Sequence, residues 1–104
     1  MNLETFVEYL VDLAKLQTLM DEAGVDIHNG TIYLENKLDL DSQVQLIPEE
    51  ETDDLLEIVV NGTKYIQLFP LHMAIHLASD YLQAEKLTSR QLAEKLLHYA
   101  IFDA

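Results

Sequence analysis

Ile58-Val59-Val60-Asn61-Gly62-Thr63-Lys64-Tyr65-Ile66 is the stretch on which the fold turns. Asn-Gly between β-branched runs is the strongest short-range hairpin signal, because a type I′ turn needs positive φ at both central residues. Asn tolerates that conformation, and Gly has no Cβ to clash. A two-residue loop here predicts strands over Leu55 to Val60 and Thr63 to Phe69, with Val60 facing Thr63, Ile58 facing Tyr65 and Leu56 facing Gln67. Thirty-two positions upstream, Asn29-Gly30-Thr31-Ile32-Tyr33 writes almost the same five letters. It predicts a second hairpin that sets Ile27 opposite Ile32. The likeness fades on either side, with His28 against Val60 before it and Leu34 against Ile66 after it. Two turns do not make a stacked array, so shared turn chemistry accounts for the pair better than an internal repeat does.

Between the two turns, Leu38, Leu40, Val44 and Leu46 alternate with Asp39, Asp41, Gln43 and Gln45, the period of a strand with one buried and one wet face. Pro48 and the run Glu49-Glu50-Glu51-Thr52-Asp53-Asp54 interrupt it. That run reads either as a solvated loop or as the acidic first turn of a short helix begun by Pro48.

Outside the sheet the period changes. Leu3, Phe6, Val7, Leu10, Val11, Leu13, Ala14 and Met20 recur at helical spacing, Asn2 can cap the start and Gly24 can end it, which predicts one helix from Leu3 to Ala23. With Leu16 and Leu19 its apolar sector is wide for a helix lying on one sheet face. Pro70 halts the last strand and opens a helix to about Lys86, and Thr88-Ser89-Arg90-Gln91 matches the capping box of a third. The order α, four or five strands, α, α predicts an α+β fold. An N-terminal helix is followed by an antiparallel sheet with two Asn-Gly hairpins, then by two C-terminal helices packed on it. Residues 1–104 are expected to form one compact domain.

The chain carries a net charge of −13, and 15 of its 19 acids but only three of its six bases precede residue 70. Such a field repels phosphates, which argues against direct nucleic-acid binding and for a protein partner, a basic one in particular. There is no cysteine, hence neither a disulfide framework nor a thiolate nucleophile. The opening Met1-Asn2-Leu3-Glu4-Thr5 lacks the basic flank and apolar run of a signal peptide, and no stretch approaches a membrane span. A cytoplasmic location is the expectation, and it weakens the glycosylation reading of the two Asn-Gly-Thr sequences.

Chemistry-bearing patterns are few. His72 and His76 stand at i and i+4 on one helical face, a spacing that can chelate a transition metal, with Asp80 one turn further on. The metalloprotease pattern needs Glu directly after the first His, where this chain has Met73. No phosphate-cradling loop, dinucleotide fingerprint, calcium loop or nucleophile elbow occurs, so no cofactor is expected. Leu87 to Leu96 resembles the first helix of a helix-turn-helix, but no glycine turn follows and the charge is wrong for DNA.

The expectation is therefore a small acidic protein-interaction or regulatory module without catalytic activity, self-associating through helical apolar residues Val11, Leu16, Leu19, Tyr99 and Phe102. An alternative is an acidic inhibitor of a basic protein, presenting Asp39, Asp41, Glu49, Glu50, Glu51, Asp53 and Asp54 as phosphate-like charge. A second alternative is a metal-binding protein built on His72 and His76.

Overall fold

The computed structural model describes residues 1–53 and 55–102. Asn2 starts the first helix, α1 (Leu3–Leu10), by accepting the Thr5 backbone N–H on its side chain at 2.9 Å. The single helix predicted to Ala23 stops there. Asp12 leaves helical geometry at φ −126 and ψ 89, and its carboxylate accepts the Lys15 N–H at 3.3 Å to begin α2 (Leu13–Ala23). Asp competes for backbone donors in a helix interior and is favoured at an N-cap, so Asp12, which a continuous helix would carry within its length, is a boundary. The break lets both segments reach one core: Leu3, Phe6, Val7 and Leu10 from α1, Leu16 and Met20 from α2. Each such fully buried side chain stabilises the fold by about 2 kcal/mol. Gly24, at φ 71, ends α2 in the left-handed conformation.

Four strands follow among the described residues: β1 (Gly30–Glu35), β2 (Val44–Pro48), β3 (Glu57–Val60) and β4 (Thr63–Pro70), with a one-turn helix α3 (Glu49–Thr52) after β2. They form one antiparallel sheet in the order β2-β1-β4-β3. At Asn61 (φ 51) and Gly62 (φ 83), two left-handed residues join β3 to β4, with Val60 paired to Thr63 and Ile58 to Tyr65. The hairpin expected at Asn29-Gly30 is absent. Residues 26–30 instead close a tight turn: Asp26 accepts the His28 and Asn29 N–H groups on its carboxylate, Asn29 accepts the Asp26 N–H, and Gly30 donates to the Asp26 carbonyl at 2.9 Å.

The predicted alternation over 38–46 also resolves differently, since only its end, from Val44, is strand. Residues 36–43 are a loop folded onto the start of α1, where Leu3 and Glu4 donate to the carbonyls of Ser42 and Leu40. Leu38 and Leu40 are half-buried because they pack against that helix-bearing core.

Helices α4 (Leu71–Ala84) and α5 (Ser89–Phe102) complete the chain. The α5 cap is reciprocal, with the Thr88 hydroxyl accepting the Gln91 N–H at 3.2 Å and the Gln91 side chain accepting the Thr88 N–H at 2.9 Å. Ala74 and Ala78 of α4 and Leu92, Ala93, Leu96 and Leu97 of α5 join Ile32, Leu34, Leu68 and Phe69 of the sheet in the core. A bulge shifts the β1–β4 register between Ile32 and Tyr33, so both Leu68 and Phe69 are buried. Strand β1 is closed on its other face as well: Tyr33 is fully buried and its hydroxyl donates to the Leu55 carbonyl at 2.5 Å. No helix among the described residues is long and apolar enough to cross a membrane.

Candidate functional site

The acidic residues expected to present one surface fall into two groups at opposite ends of β2. Asp39 and Asp41 lie in the loop before it, and Glu49, Glu50, Glu51 and Asp53 follow it. Five strand residues separate the groups, a span of about 16 Å. Asp54 lies outside the described residues. The Asp39 carboxylate is engaged within its own loop: the Asp41 N–H at 3.2 Å, and then the Lys37 ammonium at 3.3 Å, hold it below the usual carboxylate range. Glu49, Glu50, Glu51 and Asp53 are exposed, and none forms an ion pair among the described residues.

His72, His76 and Asp80 all stand on the exposed side of α4. Among the described residues, no group of three His, Asp or Glu side chains is placed to hold a metal ion. The i, i+4 pair thus supplies two ligands at most, on a solvated helix face.

Of the side chains expected to form an oligomer interface, Leu16 is fully buried in the core of its own chain. It is corrected to a packing residue: the turn at Asp12 rotates α2 so that this position points inward. Leu19 is half-buried against the core, and so is Tyr99, whose ring lies 5.8 Å from that of Phe69. Val11 and Phe102 are exposed, at 53% and 66%.

Two features escape the sequence reading. The first is a groove of 560 Å³ between α4 and α5, lined by Tyr81, Glu85, Gln91, Glu94, Lys95 and His98. The Lys95 ammonium sits 5.6 Å above the Tyr81 ring and 3.8 Å from Glu85. Burial, and then neighbouring Tyr99, push the Tyr81 phenol up. Lys95 meets the ring face, a cation–π contact whose role is to pack the two helices together. The i, i+4 pattern from Glu94 to His98 hinted at a polar face here, but not that α4 would wall it.

The second is the outer edge of the sheet. Strand β3 pairs with β4 on one side only, and Leu55, Leu56, Val59 and Val60 are 56%, 74%, 69% and 46% exposed. An alternating or continuous apolar run signals burial in general, which these four residues do not show. The strand order carries β3 beyond the cover of the helices. Glu57 on this strand is paired with Lys64 at 2.6 Å.

Compared with known protein families, curated proteins and solved structures, the chain matches no family model, no curated protein and no solved structure.

Proposed function

We propose that the protein is a small acidic interaction module that works by binding a basic protein rather than by catalysis. The observation that supports this is the partition of charge over the fold. Lys37, Lys64, Arg90 and Lys95 are each held in an ion pair with an acid of the same chain. Exposed pairs of this kind contribute little to stability. Their effect is on the field: most of the few cations are already engaged, while the carboxylates at 49–51 and 53 face solvent unopposed by a described cation. A surface of net charge −13 steers basic partners toward it and gives association that weakens with salt.

The test is purification of partners from the cells that make the protein, at low and high salt, with the native chain and with the combined Glu49→Lys, Glu50→Lys, Glu51→Lys variant. Basic partners retained at low salt and lost both at high salt and in the variant are the expected result. A partner set unchanged by salt and by the charge reversal overturns the reading. Competition by duplex DNA for the same partner then reports whether the carboxylates stand where phosphates bind.

A further inference from the structure

We infer that the free edge of β3 pairs with β3 of a second copy of this chain, joining two four-stranded sheets into one of eight. Unprotected apolar edges are the part of a sheet most prone to pair, and proteins blunt them with charge, proline or a bulge. This one has no proline and no bulge, and its one charge, Glu57, is answered by Lys64 at 2.6 Å.

The backbone fixes which groups are offered. The Gln67 N–H donates to the Leu56 carbonyl at 2.8 Å, so Leu56, Ile58 and Val60 bond inward to β4. By the alternation of an antiparallel ladder, Glu57 and Val59 then turn their N–H and C=O groups outward.

Three two-fold registers can use those groups. Centring on Glu57 sets Glu57 against Glu57 of the second copy, a like-charge pair that is unfavourable. Centring on Val59 draws Asn61 into the ladder opposite Glu57, although Asn61 is held at φ 51 by the turn. Centring on Ile58 avoids both. Glu57 then exchanges both bonds with Val59 of the second copy, Ile58 meets Ile58, and Leu56 meets Val60. Leu56, Ile58 and Val60 from each copy form one apolar stripe, and each Glu57 keeps its own Lys64 beside it. The edge is self-complementary in this register and in no other two-fold one, as an isologous contact requires.

The contact is small, roughly half the ~800 Å² per partner of a standard stable interface. A contact of this size belongs with the weak, reversible associations. It is independent of the acidic residues that engage a basic partner.

Sedimentation of the native chain up to millimolar concentration tests this, with five variants alongside whose fold is checked by circular dichroism. A concentration-dependent dimer is expected. Val59→Glu, which sets an acid across from Glu57, weakens it at least tenfold, and Val59→Lys leaves it intact or tightens it. Val11→Glu and Val11→Lys, which change net charge equally at the exposed turn between α1 and α2, leave it unchanged. Glu57→Lys combined with Val59→Glu restores the dimer, because the opposed charges then attract. A chain that stays monomeric throughout overturns the inference, as does a dimer indifferent to Val59→Glu or one broken instead by Val11→Glu.

Discussion

Asn29-Gly30-Thr31-Ile32-Tyr33 and Asn61-Gly62-Thr63-Lys64-Tyr65 share four of five letters and each runs into a strand, yet their Asn-Gly pairs do different work. In the second stretch, Asn61 and Gly62 take positive φ and reverse the chain in open space. In the first, Asn29 is a side-chain acceptor that closes a turn on Asp26, and Gly30 is buried where nothing larger fits. A Cβ at Gly30 falls 2.9 Å from the Asp26 carbonyl oxygen and 3.1 Å from a Val25 methyl, whereas one at Gly62 meets nothing within 4 Å. Both strands are inner ones, yet Tyr33 is fully buried while Tyr65 is half-buried. The difference comes from what precedes each Asn. Ile58-Val59-Val60 can extend as a strand, while Asp26-Ile27-His28 follows the left-handed end of a helix and offers a carboxylate that caps two N–H groups. A turn signal of two residues is read through its flanks.

The largest test of that contrast is truncation of the tyrosines. Tyr33→Ala is expected to cost about 4 kcal/mol of unfolding free energy, against ~1 kcal/mol for Tyr65→Ala, measured from urea transitions of equal slope. Comparable losses at the two sites would break the comparison. Next comes Gly30→Ala, which forces a side chain against backbone and is expected to cost about 2–3 kcal/mol. Gly62→Ala strains only a positive φ and is expected to cost ~1 kcal/mol; a greater loss at Gly62 than at Gly30 would reverse the assigned roles. The smallest effects separate the two asparagines. Asn29→Ala removes the acceptor for the Asp26 N–H and is expected to cost about 1 kcal/mol, while Asn61→Gly, which keeps the turn conformation, changes the transition by less than ~0.5 kcal/mol.

The same distinction between local and distant causes governs how much of the molecule could be read in advance. The Thr88–Gln91 box, the Asn2 cap and the left-handed Gly24 are decided by neighbours within four residues, and each is visible in the sequence as such. The break at Asp12 is local too, but ambiguous: an acid at helical spacing serves equally as a polar stripe or as a cap, and apolar residues continue on both sides. Leu38 and Leu40 alternate like strand residues because they pack against the core from a loop held by the α1 backbone, through bonds from Leu3 to Ser42 and from Glu4 to Leu40 that are distant in sequence. The exposed edge is less legible still. Whether Leu56 and Val59 are covered depends on the strand order β2-β1-β4-β3, which places β3 outermost. The division of the acids into two groups follows from the extended strand β2 that lies between them.

The helices at the two ends of the chain meet. Leu3, Phe6, Val7 and Leu10 of α1 share one core with Leu92, Leu96 and Leu97 of α5, and Arg90 reaches Glu4 at 3.8 Å. A contact between helices so far apart in sequence must close a long loop before burial rewards it, so the docking of α1 on α5 is slow compared with the local Asn61-Gly62 turn.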